Sequence, residues 1–103
     1  MSKNVIAGFD AGTSKFRCNL FNLNGNHLYE ASETTPLKKK ADGFYYNPAE
    51  EIYKISLNII KKLVKHANNN NLIIKSISFS SIGESGIPID INGNILMDCI
   101  PWY

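Results

Sequence analysis

The feature that most constrains this 103-residue chain is a short apolar run that breaks at a glycine turn near the N-terminus. Residues 5–9 are mostly apolar, which is typical of a buried strand. The break, residues 10–14, reads Asp-Ala-Gly-Thr-Ser, and a second apolar run over residues 16–23 follows at once. The pattern predicts two antiparallel strands joined by a turn that carries a carboxylate, a glycine and two hydroxyl groups. Residues 10–14 are called the glycine turn below.

The side chains at the glycine turn suit phosphate. Gly12 lets the backbone adopt a positive φ or approach a ligand closely. Successive turn amides can form an anion-binding concavity, and Thr13 and Ser14 add hydroxyl donors. A carboxylate such as Asp10 beside phosphates usually serves a magnesium ion through water, and Arg17 offers a planar head with several donors. An ordinary hairpin turn with an exposed aspartate fits the same pattern, because D-x-G-T is short and common.

The next segments predict an antiparallel meander and a surface connection. Asn24-Gly25 is typical of a two-residue hairpin, because both residues tolerate a positive φ. It leads into a third strand over residues 27–32. Residues 32–47 are rich in turn-forming residues, which predicts a long surface connection. Its aromatic cluster, residues 44–46, either anchors the connection to the domain or lines a ligand groove.

A helix begins after this connection. Asn47 is the expected cap, Pro48 fits the first helical position and Glu50 lies three residues after the cap. Apolar residues then recur at helical spacing, which predicts a packed face. That stripe is Ile52, Ile55, Ile59 and Leu63. A second set at similar spacing, which indicates that two faces are covered, is Tyr53, Leu57, Ile60 and Val64. Residues 68–71 are the predicted exit turn.

The β-branched run at residues 72–80 predicts a strand that returns to the sheet parallel to the first one. The element order is then β-β-β-α-β, an α/β fold. A second punctuated stretch, residues 81–86, follows. Beyond it, Asn92-Gly93 predicts a turn between short strands, and Pro88 places the first of these at an edge or bulge.

Composition excludes several classes of function. The chain has 44% hydrophobic residues and a net charge of +2, which gives no indication of nucleic-acid binding. The run Lys38–Lys40 lacks interleaved aromatic side chains, so we interpret it as a solvated loop. Neither a signal peptide nor a long apolar segment is visible, so we expect a cytoplasmic protein without membrane association. Cys18 and Cys99 lack metal-ligand spacing and are predicted to be buried free thiols.

Three segments, taken in order, resemble the start of a carbohydrate kinase of the FGGY family. Residues 8–17 are similar to the family's first phosphate loop, D-x-G-T-[ST]-x-x-R. Residues 77–90 resemble the segment where the family places substrate-contacting residues. Residues 93–102 are similar to its G…L…I-x-W tail. The resemblance covers nearly all of this chain but only the opening part of a typical family member.

The resemblance implies the mixed-sheet, ribonuclease H-like fold of actins, chaperones and sugar kinases. Residues 1–103 would form the N-terminal part of the first, substrate-binding domain. The rest of that domain, the general-base aspartate and the ATP-binding domain are outside this chain, so we expect the chain alone to be inactive. The implied reaction is ATP-dependent phosphorylation of a sugar or polyol hydroxyl, with Mg²⁺. The alternatives are an ATPase of the same superfamily, a non-catalytic module that binds an anion or nucleotide, and a fragment that only pairs with another chain.

The resemblance also assigns residues to the ATP side of the reaction. Asp10 matches the catalytic aspartate that orients magnesium and the transferred phosphate. Gly12, Thr13 and Ser14 match the turn that faces the ATP phosphates. Arg17 matches the basic residue of that loop, which contacts phosphate or substrate.

On the acceptor side, Glu84 matches a glutamate that hydrogen-bonds substrate hydroxyls in glycerol kinases. Trp102 matches a tryptophan that packs on the substrate's carbon chain. Gly83 stands where glycerol kinases have arginine. A ketose, an aldonate or a longer polyol is therefore as plausible an acceptor as glycerol. The expected partners are therefore a small sugar or polyol and, as in many family members, a second copy of the chain in a homodimer.

Overall fold

The computed structural model describes residues 3–83 and 85–101. A four-stranded sheet has the order β3-β2-β1-β6, and a small hairpin pairs β4 with β5. The elements are β1 (Lys3–Ala11), β2 (Lys15–Asn22), β3 (His27–Thr34), β4 (Lys38–Lys39), β5 (Tyr45–Tyr46), α1 (Ala49–Asn69) and β6 (Leu72–Ser81). The predicted β-β-β-α-β order is confirmed, with the β4–β5 hairpin added inside the connection.

The first three strands form the predicted antiparallel meander. β1 pairs with β2 up to Ala11 opposite Phe16, so the glycine turn closes this hairpin. β2 pairs with β3, and Gly25 in the turn between them has a φ of +85°. The Asn22 carboxamide oxygen accepts the Asn24 and Asn26 amides at 3.0 and 2.9 Å, which stabilises this turn.

The helix carries the chain back so that β6 lies parallel to β1. In this register the carboxyl ends of both strands meet at one edge of the sheet, with Asp10 opposite Ser80. This parallel pairing matters for function because it places the glycine turn beside the segment that follows β6.

The core lies between one face of the sheet and α1, which packs against β2, β3 and β6. Alternate strand residues point into it, as a period of two requires. The buried members from the sheet are Val5, Ala7, Phe9, Phe16, Cys18, Leu20 and Ala31. Ile59 and Leu63 are the buried members from the helix. Ile52 and Ile55 of the predicted stripe are partly buried against this core.

The prediction of Asn47 as the helix cap is wrong. Asn47 is 1% exposed and its side-chain amide donates to the Pro36 carbonyl at 2.9 Å. The Ala49 amide at the start of α1 donates to the Asp98 carboxylate at 2.9 Å. Asn47 also exchanges two backbone hydrogen bonds with Cys99, at 2.8 and 3.1 Å. A carboxylate distant in sequence therefore takes the capping position, and Asn47 joins the segments that meet there.

The aromatic cluster does not anchor the connection in the core. Phe44 is 72% exposed, and the Tyr45 ring is about half exposed. The Lys39 and Lys40 ammonium groups lie 5.7 and 5.4 Å from the ring centroids of Tyr45 and Tyr46. The hairpin therefore turns its aromatic rings toward its own lysines, because the core face of the sheet is already covered by α1.

The second apolar stripe of α1 is largely uncovered within the described residues, with Tyr53, Leu57 and Val64 exposed. The helix also extends to Asn69, into the predicted exit turn. Residues 87–90 and 95–97 form only an isolated bridge, between Ile89 and Ile95, around a turn in which Gly93 has a φ of +84°. No helix in residues 3–83 and 85–101 combines the length and apolar character needed to cross a membrane.

Candidate functional site

The glycine turn is tight for a specific reason. The Gly12 amide donates to the Lys15 carbonyl at 3.0 Å. A Cβ atom on Gly12 would lie only 2.7 Å from that carbonyl oxygen, a distance that real Cβ atoms essentially never show. Gly12 is not among the residues with a positive φ. The predicted positive φ is therefore wrong, and the predicted close approach to a ligand stays a prediction. What the structure shows is a close approach by the turn's own backbone.

Asp10 stands at the carboxyl end of β1, on the face opposite the core. Its cross-strand partners are Arg17 on β2 and Ser80 on β6. The Ser80 hydroxyl donates to the Asp10 carboxylate at 3.3 Å, and the carboxylate remains exposed. Since partners in a register share a face of the sheet, the three side chains form a row beside the glycine turn. No sequence pattern marks Ser80, because its place beside Asp10 depends on the β1–β6 register.

The tip of the turn is presented outward. Thr13 and Ser14 are both exposed. In the part of the chain that the structure describes, their backbone amides have no internal acceptor. Two hydroxyl groups and two amides are therefore exposed at this edge of the sheet, and that they bind an anion stays a prediction.

The turn is held from behind by Thr35, a residue that sequence analysis did not single out. The Thr35 hydroxyl donates to the Gly12 carbonyl at 2.8 Å, and its amide donates to the Ser14 carbonyl at 3.0 Å. Thr35 is only 6% exposed. No motif marks it, because the contact joins residues far apart in the chain.

The donor set fits magnesium bound mainly by water and phosphate. Asp10 supplies an exposed carboxylate beside the anion-facing amides. Across residues 3–83 and 85–101, no three His, Cys, Asp or Glu side chains cluster as a metal cage. Magnesium usually keeps several waters and takes only one or two carboxylates beside substrate phosphates, so one aspartate at this edge is sufficient.

The acceptor-side residues are only partly visible. Glu84 and Trp102 lie outside the described residues. Gly83 is exposed, and a Cβ there would meet no atom within 4 Å. The Ser85 hydroxyl donates to the Ile100 carbonyl at 3.3 Å, which joins the segment after β6 to the last described residues.

A small cavity of about 130 Å³ lies behind this junction. Ala11, Thr35 and Asn47 line it together with residues of the segment after β6. The Asn47 carboxamide oxygen is buried there without a hydrogen-bond partner among the described residues. The cavity thus lies between the glycine turn and the segment that carries Gly83.

Both cysteines are free and buried, as predicted. Burial raises the pKa of the Cys18 thiol to about 11 and outweighs the lowering effect of a hydrogen bond from the Asn19 backbone. Burial likewise raises the pKa of Cys99. Neutral thiols are poor nucleophiles, so neither side chain is suited to covalent catalysis.

Comparisons with known proteins match nearly the whole chain. The family model for the N-terminal domain of the FGGY family of carbohydrate kinases matches residues 5–103. A xylulose kinase from Staphylococcus epidermidis is 30% identical over 102 residues, which cover 99% of this chain and 21% of that protein.

Solved structures show the same fold. The chain superimposes on a glycerol kinase from Plasmodium falciparum, determined with ADP, with a TM-score of 0.88 and 25% identity, covering 98% of this chain and 21% of that one. For a gluconate kinase from Lactobacillus acidophilus the TM-score is 0.81 and the identity 27%, with 98% and 20% covered. The chain thus spans about a fifth of these relatives.

The superpositions confirm the predicted actin-like, ribonuclease H-like fold. The family match covers the glycine turn, the parallel return of β6 and the segment that follows it. On this ground the chain belongs to the FGGY family of carbohydrate kinases, within the family's N-terminal domain.

Proposed function

We propose that the full-length protein transfers the γ-phosphate of ATP to a hydroxyl group of a sugar or polyol. The observation that carries the proposal is the glycine turn, where an exposed carboxylate lies beside outward-facing amides and hydroxyls at the carboxyl end of β1. The relatives support it, because they are a xylulose, a glycerol and a gluconate kinase.

Phosphoryl transfer depends on positioning and charge stabilisation more than on covalent chemistry. In the proposal, Thr13 and Ser14 donate amide and hydroxyl hydrogen bonds to the ATP phosphates, and Gly12 keeps the turn tight. Asp10 orients a hydrated magnesium ion, which neutralises phosphate charge when bound. Arg17, the cross-strand partner of Asp10, adds a cationic donor on the same face.

For the acceptor, we propose Glu84 as hydrogen-bond acceptor for hydroxyl groups and Trp102 as an apolar wall for the carbon chain. An aromatic face that packs on C–H groups, together with a few precisely positioned polar groups that bind hydroxyls, suits a polyol. The hydrogen bond from Ser85 to Ile100 supports a shared acceptor site, because Ser85 follows Glu84 directly and Ile100 lies two residues before Trp102. The open space at Gly83 leaves room for a ketose, an aldonate or a longer polyol as well as for glycerol.

We also propose that residues 1–103 are the N-terminal part of a substrate-binding domain. The general base and the adenosine-binding domain would lie elsewhere in the full-length protein. The coverage of about a fifth of the relatives supports this division. Cytoplasmic location and a homodimer stay predictions from the sequence.

The test is ADP release from magnesium-ATP by the full-length protein with a panel of ketoses, aldonates and polyols. We expect release that depends on one acceptor. Asp10→Asn should lower kcat at least about a hundredfold, since it removes the charge that orients magnesium beside the transferred phosphate. Asp42→Asn is the matched control: Asp42 accepts the Phe44 amide in the exposed hairpin and should leave kcat unchanged.

Acceptor-independent ADP release would instead support an ATPase, and nucleotide binding without turnover would support a binding module. The isolated chain of residues 1–103 should show no acceptor-dependent release. Sugar phosphorylation by that chain alone would contradict the proposed division of the site.

A further inference from the structure

Thr35 lies beside the glycine turn, one residue beyond the pair of Lys15 and Thr34 that ends the β2–β3 register. It follows directly after β3, which is separated from β1 by β2. Its amide continues the pairing with β2 by donating to the Ser14 carbonyl at 3.0 Å, and its hydroxyl donates to the Gly12 carbonyl at 2.8 Å. The next residue, Pro36, is itself fixed, because its carbonyl accepts the Asn47 side-chain amide.

The planarity of the peptide bond gives these contacts a consequence on the other side of the turn. The carbonyl of Gly12 and the amide N–H of Thr13 belong to one trans peptide unit and point in opposite directions. The Thr35 hydroxyl holds that carbonyl toward the buried side. The Thr13 amide is therefore aimed outward, where the described residues offer it no acceptor.

We propose that Thr35 is a positioning residue that aims the Thr13 amide at a phosphate group of the nucleotide. The inference rests on the proposed function for the identity of the anion, but the geometry of the turn stands without it. Thr35 touches neither nucleotide nor acceptor in this proposal; it acts through the Gly12–Thr13 peptide unit.

The structure offers a matched set of variants. Thr35→Val keeps the shape of the side chain and removes the hydroxyl donor, whereas Thr35→Ser keeps the donor. Thr34→Val makes the same chemical change at the preceding residue, which is exposed at the end of β3. Circular dichroism and the urea midpoint of each variant report whether the fold is retained.

In steady-state kinetics of the full-length protein, Thr35→Val should lower kcat/KM for magnesium-ATP roughly tenfold, the effect expected when one buried hydrogen bond is lost. The KM for the acceptor should change less than about twofold, because the acceptor is held elsewhere. Thr35→Ser should restore most of the loss, and Thr34→Val should resemble the wild type. An equal rise in KM for magnesium-ATP and for the acceptor, or a Thr35→Ser variant as impaired as Thr35→Val, would overturn the inference.

Hydrogen exchange gives a readout that does not depend on turnover. In the nucleotide-free full-length protein, Thr35→Val should speed exchange of the Gly12 amide, which is bonded to the Lys15 carbonyl, and leave β1 and α1 protected. Exchange identical to that of Thr34→Val would overturn the role of Thr35. A wild-type protein without acceptor-dependent ADP release would overturn the proposed function instead, and the exchange data would still decide the role of Thr35.

Discussion

Gly12 shows how a single missing side chain sets the shape of the candidate site. The Lys15 carbonyl occupies the place where a Cβ would stand, at 2.7 Å. Since the neighbouring atom is backbone, only a shift of the whole turn could relieve the clash. The glycine is thus required by the turn itself, before any ligand is considered.

At this scale we predict that Gly12→Ala destabilises the fold by about 1–3 kcal/mol, the usual cost of forcing extra volume into a packed site. The free energy of unfolding from urea titration measures it. Gly83→Ala is the control: it has open space and no positive φ, so it should stay within about 0.5 kcal/mol of the wild type. Equal stability of the two variants would show that the turn relaxes freely.

At the scale of an element, α1 depends on a residue outside it. The Asp98 carboxylate accepts the Ala49 amide at the first turn of the helix, where it also faces the positive end of the helix dipole. The same short segment is bonded to Asn47 through Cys99. The start of α1 and residues 98–100 are therefore one structural unit.

We predict that Asp98→Ala lowers the free energy of unfolding by about 1 kcal/mol, as the loss of a cap does. Asp98→Asn keeps an oxygen acceptor for the Ala49 amide and should lose less than half as much. Urea unfolding followed by the helical circular dichroism signal measures both changes. Equal losses in the alanine and asparagine variants would mean that the hydrogen bond to Ala49 does not stabilise the helix.

At the scale of the whole molecule, the buried thiol in the middle of the sheet makes stability depend on alkaline pH. Cys18 has a pKa near 11 in the folded chain because of burial, against 9.0 for an ordinary thiol. A raised pKa favours folding below pH 9.0, where the thiol is neutral in both states. Above pH 9.0 the Cys18 thiol ionises in the unfolded chain but stays neutral in the folded chain. This contribution to stability is therefore lost as the pH rises toward 11.

We therefore predict that the free energy of unfolding falls between about pH 9 and 11, and falls less steeply in Cys18→Ala. The alanine variant should be less stable throughout, since it leaves a void in the core. Only the difference between the two slopes reports the thiol, because lysines and tyrosines titrate in the same range. Equal slopes of the free energy of unfolding against pH in the wild type and in Cys18→Ala would contradict the prediction.

The sequence predicted what local patterns encode. Apolar alternation and helical spacing located four strands and α1, and turn residues such as Asn24-Gly25 and the glycine turn marked the connections. Thr35, Ser80 and Asp98 were missed because each acts through a partner distant in the chain. Asn47 was misassigned for the same reason: its local pattern fits a cap, yet its backbone pairs with Cys99 and its side chain reaches Pro36.

The capping of α1 by Asp98 also bears on how the chain is made. During synthesis, domains generally fold as units, the N-terminal ones first. A nascent chain that has exposed α1 but not yet Asp98 holds a helix whose first turn still donates to water. The hydrogen bond from Ala49 to Asp98 can form only after residue 98 has been synthesised, so the start of α1 cannot acquire its cap earlier in translation.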